Sequence, residues 1–133
     1  MNRTIKILST ILLIATHQLT VAQEKYPYPM DIPVYISASF AELRANHFHA
    51  GLDMSTKGVI GVKVHAVADG YVSRINISAW GGGKVLYIDH PNGFRTVYMH
   101  LNDFTGDIAS WVEDYQYMHH TYCFDTNIKP GIL

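Results

Sequence analysis

The sequence predicts a mostly β fold, a small assembly of short antiparallel strands joined by glycine turns. Three observations predict it. Residues 59–67 are rich in β-branched side chains. Ala68-Asp69-Gly70 and Gly81-Gly82-Gly83 punctuate the chain as a turn and an irregular loop. Residues 84–90 and 94–101 flank Pro91-Asn92-Gly93 in the manner of an antiparallel hairpin. A chain of 133 residues has room for one compact domain and excludes a multidomain enzyme or a large barrel.

The elements follow in order. Residues 1–22 read as a secretory signal: Arg3 and Lys6 supply the positive start, residues 7–15 are mostly apolar, and Thr20-Val21-Ala22 offers small residues for cleavage. That apolar run is too short to span a membrane and no second one follows, so no stable membrane span is expected after signal removal. Residues 23–33 carry Pro27, Pro29 and Pro33, which favour an extended arm. Residues 34–133 hold the fold. Ser39 with Glu42 three residues on fits a capping box and predicts a helical turn over 40–44. Strands are expected over 59–67 and 71–75 and in the hairpin. From Asn102 onward Trp111, Tyr115, Tyr117 and Tyr122 sit in a polar setting without clean periodicity, and no regular element is predicted there.

Composition narrows the function. Hydrophobic residues make up 48% of the chain and charged ones 16%, enough for a core and too apolar for disorder. Ten Lys and Arg against 11 Asp and Glu give no basic face, so no nucleic-acid partner is expected. A single cysteine, Cys123, excludes an internal disulfide and a four-cysteine zinc site. Eight histidines are many for so short a chain, and they mark where chemistry is to be sought.

The first constellation is His47-Phe48-His49-Ala50-Gly51-Leu52-Asp53. As a strand it places His47, His49, Gly51 and Asp53 on one face and Phe48, Ala50 and Leu52 on the other, toward a core. An ideal strand would hold His49 and Asp53 about 13 Å apart, too far for one ion, so the chain must bend and Gly51 is the residue that permits it. An imidazole with one carboxylate suits Zn²⁺ and leaves room for a bound water. A polar strand face with scattered histidines fits the same loose spacing.

The second constellation is Thr96-Val97-Tyr98-Met99-His100-Leu101. Alternation groups Thr96, Tyr98 and His100, with Val97, Met99 and Leu101 on the apolar side. His100 suits a general base or an oxyanion donor, and equally a half-buried histidine satisfied by a carbonyl. His65 is expected to face solvent and His90 to bond locally before its turn. His119, His120 and Cys123 match no closed zinc spacing.

Four segments in series resemble the lysostaphin and LytM-type zinc endopeptidases: His49-Ala50-Gly51-Leu52-Asp53, Ala68-Asp69-Gly70-Tyr71-Val72, the run from Val85 to Gly93, and Tyr98-Met99-His100-Leu101. The resemblance covers about residues 33–104. It implies a small antiparallel β-sheet assembly with a groove, a Zn²⁺ cofactor, and cleavage of peptide cross-links in bacterial peptidoglycan in the periplasm or cell envelope. It further implies His49 and Asp53 as metal ligands and His100 as a catalytic residue beside the substrate carbonyl. His47 matches no ligand of the pattern.

The family completes its site with a later His-x-His pair, and residues 102–133 contain none. Residues 34–133 are therefore expected to be the N-terminal part of such a domain, with activity lost or impaired. The alternative is a non-catalytic envelope protein that binds peptidoglycan or regulates another hydrolase. Residues 64–72 are also similar to the strand and turn of biotinyl and lipoyl carriers, but the hairpin tip at 91–93 lacks the lysine that such carriers modify.

Overall fold

The structure, a computed structural model, describes residues 25–133. The secretory signal read over residues 1–22 lies outside them. Among the described residues the fold is mostly β: six strands in two antiparallel sheets, and one helix. No helix among them is long and apolar enough to cross a membrane.

The larger sheet carries the core. It contains β3 (Tyr71–Ile77), β4 (Lys84–Asp89), β5 (Arg95–Leu101) and β6 (Phe124–Asn127) in the order β5-β4-β3-β6. The hairpin read from residues 84–101 forms β4 and β5. At its turn, the side-chain oxygen of Asn92 accepts from the Phe94 amide. Gly70, entering β3, has backbone so close to β4 that a Cβ would lie 2.5 Å from the Asp89 carbonyl oxygen. Only glycine permits that approach.

Bulges decide which side chains enter the core. In β3, Val72 pairs with Ile88 and Arg74 with Tyr87, leaving Ser73 as an extra residue. The shift brings Val72 onto the same face as Ile75 and Ile77, which strict alternation would forbid. In β5 the register slips between Leu86–Tyr98 and Lys84–Leu101. Leu101 thereby takes an inward place after Tyr98. This corrects the alternation argument: Tyr98 and Leu101 pack on the core, whereas Val97 and Met99 are exposed.

The helix, α1 (Gly106–His119), was not expected from the sequence. Ile108, Trp111, Val112 and Tyr115 recur at helical spacing, and Ile108, Trp111 and Val112 join the core cluster. Trp111 stacks on Tyr115 at 5.1 Å, and Tyr115 meets Phe124 of β6 at 4.5 Å between ring centroids. Exposed Tyr117 and Met118 blur this stripe in the sequence. The core thus lies between one face of the sheet and α1, closed by Phe104 and Ile128, with Ile75 fully buried at its centre.

Two further expectations fail. Residues 59–67 form no strand. Val64 makes a lone bridge to Met30 of the N-terminal arm, and the His65 amide donates to the Pro29 carbonyl at 2.7 Å. Local β-propensity there finds no continuous partner strand. Nor do residues 40–44 form a helical turn. The Ser39 amide does meet the Glu42 carboxylate at 3.4 Å, as a capping box requires, but Ala41 has a φ of 64° and the chain reverses. A tight hairpin follows: Arg44 donates to the His47 carbonyl, the His49 amide to that of Glu42, and Leu43 bridges Phe48.

Candidate functional site

The smaller sheet and this hairpin build the site. Strand β1 (Ile36–Ala38) pairs with β2 (Asp53–Met54), with a register shift between Ile36 and Ala38. The Ser37 hydroxyl donates to the Asp53 carbonyl at 3.2 Å, so the backbone of Asp53 is held from β1. Ser39 follows β1 directly, and its carbonyl accepts from His49 Nδ1 at 3.0 Å. The hairpin returns the chain to that carbonyl, and the bend at Gly51 then carries it into β2.

The outcome is that His49 Nε2 lies 3.1 Å from Asp53 Oδ1. Two side chains that an extended strand would separate now converge. Gly51 bends without a left-handed φ, and a Cβ there would sit 3.8 Å from His49 Nε2, an ordinary contact. The bend therefore does not depend on glycine. Phe48 and Leu52, expected in a core, are 67% and 54% exposed because this segment lies outside the sheet–helix core.

The chemistry of the pair follows from its hydrogen bonds. With Nδ1–H donated to the Ser39 carbonyl, the neutral ring directs a lone pair from Nε2 at a carboxylate oxygen. Two acceptors at that distance need a cation shared between them, a proton or a metal ion. The donor of Nδ1–H to a carbonyl is the usual support of a metal-ligating histidine. Donor atoms on a tetrahedral zinc lie about 3.3 Å apart, close to the observed separation. The pair fits two positions of such a site.

It does not fit a third. Among the described residues no group of three His, Cys, Asp or Glu side chains could hold a metal ion. His47 is exposed and its Nδ1 meets Asn46 Oδ1 at 2.6 Å. His119 lies against the Tyr115 ring, centroids 4.2 Å apart, while His120 closes α1 in a left-handed conformation and Cys123 is exposed. His65 faces solvent and pairs with Asp31 at 2.8 Å. His90 is buried with both ring nitrogens engaged, Nδ1 with the Asp69 carbonyl and Nε2 with Thr96 Oγ1, each at 2.8 Å.

His100 stands on the β5 bulge. Its φ of 58° is in the left-handed region, its amide donates to the Gly82 carbonyl at 2.9 Å, and its side chain is exposed. Such a conformation in a residue other than glycine is strained and is concentrated at functional positions. The same bulge turns His100 away from the core that receives Tyr98. A Cβ at Gly82 would lie 2.7 Å from Val85 Cγ2 and 2.8 Å from Met99 Cε, so the loop packs closely on β4 and on the bulge. Tyr98 accepts from the Val67 amide at 3.0 Å and ties β5 to the preceding loop.

Sequence reasoning missed Arg44. Its Nη2 donates to Asp53 Oδ2 at 2.8 Å, leaving Oδ1 to face His49. A cation in a weakly charged chain, just ahead of the His49–Asp53 motif, was the signal available.

The sequence profile of peptidase family M23 matches residues 47–119. An uncharacterized metalloprotease of Haemophilus influenzae is 32% identical over 81 residues, covering 56% of this chain. The match takes in 17% of that relative's length, so the chain spans a small part of it. No solved structure matches. The profile covers more than half of the chain and includes His49, Asp53 and His100, and the chain belongs to peptidase family M23.

Proposed function

We propose that this chain acts as a zinc-dependent endopeptidase on the peptide cross-links of bacterial peptidoglycan, in the periplasm or cell envelope. The observation that carries the reading is the 3.1 Å approach of His49 Nε2 to Asp53 Oδ1 with Nδ1 anchored on the Ser39 carbonyl. His49 and Asp53 are the residues that would hold the ion. When bound, zinc supplies a Lewis acid for the scissile carbonyl and a water of lowered pKa. His100, exposed on its bulge, moves a proton at a ring nitrogen to or from the reacting peptide. The leader at residues 1–22 supports export.

Catalytic zinc sites take three protein ligands. The described residues bring two together, and two ligands alone hold zinc weakly. That shortage favours a second reading, a non-catalytic envelope protein that binds peptidoglycan or regulates another hydrolase. One experiment separates them: incubate the full chain, with and without added Zn²⁺, with purified cross-linked peptidoglycan and analyse the soluble peptides. Zinc-dependent release that His49→Ala removes supports the peptidase. Co-sedimentation with peptidoglycan and no released peptide supports the binder. Release that survives His49→Ala and a chelator sinks the zinc reading.

A further inference from the structure

We infer that Arg44 is a positioning residue that aims the Asp53 carboxylate at His49, and that Glu42 and Ser39 close the frame that holds it. The inference rests on the reading of His49 and Asp53 as a metal-binding pair.

The contacts form a ring. Ser39 gives its carbonyl to His49 Nδ1 and its amide to Glu42 Oε2, the latter at 3.4 Å. Glu42 Oε1 faces Arg44 Nε at 3.8 Å. Arg44 Nη2 holds Asp53 Oδ2, and Asp53 Oδ1 faces His49 Nε2. Each ligand is therefore gripped at the atom that does not face the other. The terminal torsion of an aspartate is broad, and the Arg44 donor on Oδ2 holds Oδ1 turned toward His49. The hairpin makes this possible, since the Arg44–His47 backbone bond folds the arginine back toward its own motif.

One feature of Arg44 is costly. Its Nε is buried and has no hydrogen-bond partner. A buried donor left unpaired is uncommon and calls for a reason. Glu42 Oε1, at 3.8 Å from Nε, is too far to accept from it, while Nη2 bonds Asp53 Oδ2 at 2.8 Å. The frame keeps the bond to Asp53 and leaves Nε without one.

The sign of the effect sets positioning apart from plain electrostatics. A fixed cation beside a divalent ion repels it, so removing Arg44 on charge grounds alone would tighten metal binding. If Arg44 positions Asp53, removing it weakens binding, as loss of an outer support commonly does by about 10–100-fold.

The test titrates Co²⁺ into the full chain and follows its visible absorption for wild type, Arg44→Met, Arg44→Lys and His49→Ala. In parallel, ¹⁵N shifts of the His49 ring are recorded without metal for wild type, Arg44→Met, Asp53→Asn and the double variant. Arg44→Met is expected to weaken Co²⁺ about tenfold or more, with Arg44→Lys in between because an ammonium lacks the planar fork. The His49 Nε2 shift should move in Arg44→Met as it does in Asp53→Asn, with no further change in the double variant. Unchanged or tighter Co²⁺ binding by Arg44→Met overturns the inference. If wild type and His49→Ala handle Co²⁺ alike, the metal reading fails, and the ring shifts alone then decide Arg44. Shifts that move in Asp53→Asn but not in Arg44→Met overturn it. Should Arg44→Met lose the fold, Arg44→Lys decides on the same two readouts.

Discussion

Gly70→Ala and Gly51→Ala make a matched pair, because the two glycines look alike in sequence and differ in the structure. Neither has a left-handed φ, so backbone strain is not at issue in either. At Gly70 the new methyl would lie 2.5 Å from the Asp89 carbonyl oxygen, 2.8 Å from Ile88 Cγ2 and 3.0 Å from His90 Nδ1. The nearest of these is backbone at the end of β4, paired with Tyr71 on one side and Arg95 on the other, and cannot swing aside. His90 is equally fixed, held by the Asp69 carbonyl and Thr96. Forcing a group into such a place costs about 1–3 kcal/mol. The reduced freedom of the unfolded chain returns about 0.4–1 kcal/mol. A net loss of about 1–2 kcal/mol corresponds to a melting point lower by about 4–16 °C for a domain of this size. At Gly51 the nearest atom would be His49 Nε2 at 3.8 Å, so the same substitution changes stability by less than about 1 kcal/mol. Thermal and urea denaturation followed by circular dichroism measure both. A Gly70→Ala variant as stable as wild type, or a Gly51→Ala variant as damaged as Gly70→Ala, refutes the reasoning.

Other perturbations have equally definite outcomes. Ile75→Ala, at a core position that is 0% exposed, should cost about 2–5 kcal/mol in urea unfolding. Tyr98→Phe removes the acceptor of the Val67 amide, and should lower stability by about 1–3 kcal/mol and speed hydrogen exchange at Val67. The Arg95 guanidinium, with Ser73 and Tyr71, holds the Asp89 carboxyl down at about 2. Because the folded value lies below the unfolded one of about 3.9, its stabilisation is complete above that range and fades as pH falls toward 2. The stability gap between wild type and Asp89→Asn should therefore shrink between pH 5 and pH 2, and a gap that stays constant contradicts the ion pair. Gly82→Ala should disturb the Met99–His100 bulge, seen as a shift of the His100 amide that donates to the Gly82 carbonyl.

What the sequence determined by itself was local. The β4–β5 hairpin, the turn at Gly70 and the glycine loop at 81–83 were legible because each depends on residues within a few positions of one another. The His49–Asp53 motif was legible for the same reason, although its role was not. Tertiary structure decided the rest. A bulge is defined by the partner strand, so nothing within β3 or β5 announced that Ser73 is extra or that Leu101 would turn inward and His100 outward. The stripe on α1 gains meaning only against Phe104, Phe124 and the sheet, and Phe124–Asn127 becomes a strand only because β3 offers an open edge. Residues 59–67 show the converse, β-branched but unpaired, since a strand needs a neighbour to bond its backbone. At the site, composition supplied an imidazole and a carboxylate. Their meeting, and the guanidinium that steadies one of them, came from a chain reversal at Ala41 that brings Ser39, Arg44 and β2 around a single point.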